Sequence, residues 1–116
     1  MKATLLLLII GTLACQPITA ADDFYGVQPM QPPMEYRGWH IEMSNCLALT
    51  RPYYEIKWYI AASLDVYTGY WIAPDLIYVR SDNLRNEYVI KHEIAHYIMQ
   101  DGTHYKEVKA CAAKGL

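Results

Sequence analysis

The sequence predicts a small α+β domain. Short runs that alternate bulky and polar residues occupy the middle of the chain, and a helical period with its own start and stop signals occupies the last third. The length of 116 residues allows one domain.

The elements follow in order. Trp39-His40-Ile41-Glu42-Met43 alternates and reads as a first strand ending at Ser44-Asn45. After the turn signal Thr50-Arg51-Pro52, the stretch from Tyr54 to Ile60 alternates again and reads as a second. Residues 61–74 fit a loop or a short helix broken at Gly69, and are taken mainly as loop. Asp75-Leu76-Ile77-Tyr78-Val79-Arg80 is β-branched, aromatic and bounded by Pro74 and Ser81, so it reads as a third strand.

Asp82 or Asn83 can cap a helix that runs through Leu84, Tyr88, His92, Ala95, His96 and Met99, with Gly102 closing it in a left-handed turn. Its other side carries Ile90, Ile94, Tyr97 and Ile98. A helix apolar on two sides belongs between layers. Thr103 can cap a short second helix through Val108 and Cys111.

The first 21 residues read as an export signal: Met1-Lys2, then an apolar run from Ala3 to Ala14 too short to cross a bilayer. Two processing routes stand open. Thr19-Ala20-Ala21 offers small residues for cleavage, whereas Leu13-Ala14-Cys15 resembles a lipobox that would make Cys15 a lipidated N-terminus, although Thr12 replaces its usual leucine. Either route takes the protein out of the cytoplasm, to a secreted or periplasmic location or to a membrane anchored through Cys15. Residues 22–38, with Pro29, Pro32 and Pro33 close together, read as an extended leader, and the domain proper as 39–116.

Export leaves Cys46 and Cys111 as an even pair in an oxidising compartment, which predicts a disulfide over two separate buried thiols. The formal charge of −2, without a basic run, gives no sign of a nucleic-acid partner.

Chemistry concentrates in Lys91-His92-Glu93-Ile94-Ala95-His96, which contains HExxH. Residues four apart on a helix lie one turn up and about 40° around, so both imidazoles can face one ion. Glu93 sits about 100° from His92, better placed to act as a base beside that ion than to bind it. A catalytic zinc takes a third protein ligand and keeps a position for water. Asp101, His104 and Glu107 are available; His104, just past the glycine, is the choice, with Glu107 its rival.

These residues resemble the compact zincin metallopeptidases. HEIAH, then His104 and bulky Val108, is most similar to the small proteins with a minimal zincin core, including the SprT-like and WLM groups, in layout over 39–111 and in motif over 92–111. Position 99 is Met and position 102 is Gly, which departs from the metzincin pattern of glycine and histidine there. The resemblance implies zinc and hydrolysis of a peptide or protein substrate, with Glu93 taking a proton from the metal's water. Tyr97, Tyr105 and His40 are candidate oxyanion donors by type alone, and residues 75–80 are the candidate sheet edge for an extended substrate. The contrasting expectation is a non-catalytic exported or lipid-anchored protein whose zinc or disulfide is structural. A metal-free globular domain is the third.

Overall fold

A computed structural model describes residues 24–116; the stretch expected to be an export signal, its expected cleavage site and Cys15 lie outside the described residues. The fold is α+β. Among the described residues the chain forms β1 (Phe24–Tyr25), β2 (Gln28–Pro29), α1 (Glu35–Leu47), β3 (Lys57–Ala61), β4 (Ser63–Leu64), β5 (Gly69–Ile72), β6 (Leu76–Arg80), α2 (Glu87–Met99) and α3 (Lys106–Ala113).

The main sheet has the order β2-β3-β6-β5. Its central pair, β3 and β6, is parallel, with Trp58 opposite Ile77 and Ile60 opposite Val79. Both outer strands run antiparallel to their neighbours, and β1 pairs with β4 in a separate two-stranded ribbon. Trp58, Ile77 and Val79 face the helices and are buried. Tyr59, Tyr70 and Tyr78 occupy the other face, where Phe24 meets the rings of Tyr70 and Tyr78 edge-on at 5.3 and 5.6 Å. Tyr59, Tyr70 and Tyr78 are thus half-buried rings that give a partly wet sheet face an aromatic cover, while the other tyrosines range from the core to the surface.

Helix α2 lies innermost, against α1, α3, β5 and β6. Ile90, Ile94, Ala95, Tyr97 and Ile98 are all buried, so both apolar sides of the period are used. The disulfide forms between Cys46 at the end of α1 and Cys111 on α3, with Cα atoms 5.9 Å apart.

Several expectations are corrected. Residues 39–43 are helical, because Tyr36, His40 and Met43 recur at helical spacing and are the buried residues of α1. Five alternating residues were too short a window to separate the two periods. The stretch 22–38 is no tether from Phe24 onward: β1 and β2 pair with β4 and β3, and Tyr36 is fully buried against Trp39 and Trp58. Pro29 fits because β2 is an edge strand. The second strand begins at Lys57, after a 3₁₀ turn over Tyr53–Glu55. The stretch read as loop contains β4 and β5.

Helix ends also differ. Asn86, not Asp82 or Asn83, caps α2, its side chain accepting the Val89 N–H at 3.2 Å. Gln100, not Gly102, takes the left-handed conformation at the other end, with φ 54°. Tyr105 precedes α3 where Thr103 was expected.

Reducing the disulfide releases a loop with a sequence separation of 65. Cys46→Ser with Cys111→Ser is expected to lower unfolding stability by about 4 kcal/mol, read from urea titrations of oxidised parent and double variant.

Candidate metal centre

Two of the three relevant histidines come from the innermost helix. His92 and His96 stand one turn apart on α2, their Nε2 atoms 3.1 Å from each other. Beyond the helix end the chain turns back and brings His104 to the same place. Ring centroids are separated by 4.6 Å for His92–His96, 4.9 Å for His92–His104 and 5.2 Å for His96–His104. The three imidazoles offer one nitrogen each, all within 4.8 Å of one another. These residues could hold a metal ion.

The fit is supported by the far sides of the rings. Nδ1 of His96 lies 2.8 Å from the carbonyl oxygen of Asp101, so that nitrogen donates and Nε2 is left with its lone pair facing the cluster. Two lone-pair nitrogens 3.1 Å apart repel unless a proton or a cation lies at the cluster. Nδ1 of His92 is buried without a protein partner. Burial and the neighbouring imidazoles push His92 down to about 4, and burial lowers His96 as well. Both rings are therefore neutral near pH 7, the form that ligates.

Glu93 shares the same cavity wall and is buried. Desolvation pushes its carboxyl up to about 8, opposed by the neighbouring backbone of Trp71. A divalent cation nearby favours the carboxylate instead. Trp71 belongs to β5, the strand at the sheet's outer edge. Its indole also lies nearly parallel to the His96 ring, with centroids 6.0 Å apart.

The cavity encloses about 540 Å³ between β5 with its preceding loop and α2. Tyr67, Tyr70, Tyr88 and Val89 line it beside the histidines and Glu93. His104 is exposed, so the cluster opens to solvent.

The remaining expectations sort by position. Glu107 lies outside the cluster and lines another groove with Cys46 and Leu47. Tyr97 donates its hydroxyl to Pro52 O at 2.6 Å, and the His40 ring pairs with Arg51 O at 2.8 Å. The Tyr105 hydroxyl donates to Asp101. None of these three groups lines the cavity. The strand read as a sheet edge, now Leu76–Arg80, is interior; the edge beside the site is β5. Residues 69–72 went unrecognised because Gly69 reads as a breaker, although Tyr-Trp-Ile after it is strand chemistry.

Comparison of the chain with family models, curated proteins and solved structures gave no match. The site therefore rests on its own geometry.

Gly69 is required by close approach. A Cβ there would lie 2.8 Å from Glu93 Cγ, 3.1 Å from Val89 Cγ1 and 3.2 Å from Glu93 Oε2. Gly69→Ala is expected to destabilise the domain by about 1–3 kcal/mol through this overpacking. Gly102→Ala, whose added carbon would meet nothing nearer than 3.9 Å, is expected to stay within about 0.5 kcal/mol. Urea midpoints of the two variants check the contrast.

Proposed function

We propose that this chain is an exported zinc-dependent metallopeptidase that hydrolyses peptide bonds. The observation that carries the reading is the triangle of His92, His96 and His104 with Glu93 on the same wall of an open cavity. Structural zinc sites are closed by four protein ligands, whereas catalytic ones have three and keep a position free. An all-imidazole set of three, open to solvent, belongs to the second kind. Imidazole also suits copper, nickel and iron. Zinc is the assignment because the proposed reaction needs a Lewis acid without redox chemistry.

Zinc bound there supplies an acidified water and polarises a carbonyl. The chain's residues do the rest. His92, His96 and His104 orient the ion. A Glu93 carboxylate oxygen accepts the proton of the attacking water and returns it to the leaving amine. The outer edge of β5 offers backbone groups for an extended peptide, and Tyr67, Tyr70 and Tyr88 are among the residues lining the cavity beside it. The partner is a peptide or protein substrate. Nucleic acid has no part in this reading, and a membrane enters only through a lipid on Cys15.

Elemental analysis of freshly purified protein is expected to find about one zinc per chain. Glu93→Gln should retain that zinc while kcat/KM on a peptide library falls about 10²–10⁴-fold. A Glu93→Gln variant as active as the parent would overturn the mechanism. Zinc retained with no cleavage by the parent, and unfolding on chelation, would favour the structural role instead.

Mass spectrometry of the mature N-terminus, in cells that export the chain, checks the route. A start near Asp22 means ordinary cleavage, and a diacylated Cys15 means a lipoprotein.

A further inference from the structure

The third histidine lies on a stretch that has no secondary structure of its own. Residues 101–105 are neither helix nor strand, and from Gly102 onward their side chains are exposed. His104 nevertheless reaches the other two imidazoles, so something local has to fix the path.

Asp101 makes four hydrogen bonds that together could do so. Its N–H donates to the carbonyl oxygen of His96 at 3.3 Å. Its own carbonyl oxygen accepts from Nδ1 of the His96 ring at 2.8 Å. On the side chain, Oδ1 accepts the Thr103 N–H at 2.9 Å and Oδ2 accepts the Tyr105 hydroxyl at 2.8 Å. The backbone of Asp101 is thus clamped to one histidine of the cluster, and its carboxylate ties down the residues on either side of another.

We propose that Asp101 is the positioning residue of the metal centre: it orients His96 through its backbone and holds His104 in place through its carboxylate, with Tyr105 as its partner. This rests on the reading that the three histidines bind a metal. Asp101 was one of the acidic residues near enough in sequence to be a ligand itself. Its oxygens are instead committed to Thr103, Tyr105 and His96, and it is not among the three clustered residues.

The carboxylate matters more than the backbone for a mutational test, because substitution leaves the carbonyl in place. Asp101→Ala removes both side-chain acceptors, so the turn loses its hold and His104 samples positions away from the cluster. Asp101→Asn can still accept from Thr103 or Tyr105 through one oxygen. Tyr105→Phe removes a single bond.

The experiment measures zinc affinity, with zinc alone, by competition against a chromophoric chelator in the full exported chain. Parent, Asp101→Ala, Asp101→Asn, Tyr105→Phe, His104→Ala and the Asp101→Ala/His104→Ala double variant are compared. Asp101→Ala is expected to weaken zinc about 10–100-fold, as loss of an outer-sphere partner does. Asp101→Asn and Tyr105→Phe should weaken it less, in that order. The decisive outcome is the cycle: in the His104→Ala background, Asp101→Ala should change affinity by no more than about twofold, because the residue it positions is gone. Cobalt(II) in place of zinc gives a second readout, in which Asp101→Ala should shift the visible absorption toward the His104→Ala spectrum.

Asp101→Ala binding zinc within about twofold of the parent, with the parent's cobalt spectrum, would overturn the proposal. So would an equal loss in both backgrounds, which marks a general effect on folding. Should Asp101→Ala fail to fold, Asp101→Asn and Tyr105→Phe in the same cycle decide the matter. A parent that binds no zinc removes the metal reading itself, a result distinct from all of these.

Discussion

Everything in this molecule depends on one helix being buried on nearly every side. Helix α2 has no fully exposed residue, yet it carries Lys91, Glu93 and His96 buried and His92 half-buried. Each such group in a core is unfavourable by a few kcal/mol unless it finds a partner. Lys91, 1% exposed, meets Glu42 at 2.7 Å, Glu87 at 2.6 Å and the carbonyl of Lys114 at 3.2 Å, one acceptor for each ammonium proton. Glu93 lies beside the backbone of Trp71, and His96 has the Asp101 carbonyl. Only the inward nitrogens of the histidine cluster and Nδ1 of His92 are left over. Polar groups concentrated in the best-packed element, with their remaining valence directed at one point, are what a binding site looks like before its ligand is considered.

The same burial sets the demands on neighbouring elements. Because α2 must pack against the outermost strand as well as β6 and the two helices around it, β5 has to pass very close to Glu93. A glycine at 69 is the consequence. Lys91 links α2 through its acceptors to α1 and to Lys114 just beyond α3, and the disulfide joins those same two helices close by, its cysteines lining one groove with Lys91, Glu42 and Lys114. The site and the fold therefore share their fastenings.

Legibility in the sequence followed the same physics. The HExxH pair could be read because helical spacing alone brings His92 and His96 to one side, and burial of α2 was visible in its two apolar sides. The third strand was placed within one residue, and the disulfide followed from the cysteine count and the inferred compartment. Where tertiary contacts decide, reading failed. Trp39 to Met43 alternates like a strand, but the buried positions Tyr36, His40 and Met43 become visible only once α1 has something to pack on. Gly69 reads as a breaker, and its real role exists only when Glu93 is opposite. Gly102 attracted the helix stop by residue type; the left-handed turn fell one position past Met99, on Gln100, whose side-chain amide donates to Pro74 O and Tyr97 O, both at 2.7 Å. Those two bonds supply locally what a glycine would have supplied by lacking a Cβ.

That placement of the turn has a consequence for the cluster. A left-handed residue directly after Met99 reverses the chain at once and sends Asp101 back under the His96 ring, where its N–H and C=O can both be used. Had the helix run on to Gly102, Asp101 would have been a helical residue with its carbonyl directed along the axis, and His96 would have lost the acceptor that fixes its tautomer. His104 would also have stood further from the end of the shared turn. Among the three imidazoles, the orientation of His96 and the position of His104 thus descend from a single backbone conformation at Gln100. Two of the three sit on the packed helix, and the third is on an exposed segment whose path is fixed by a few hydrogen bonds, so the third can be moved by substitution without disturbing the core.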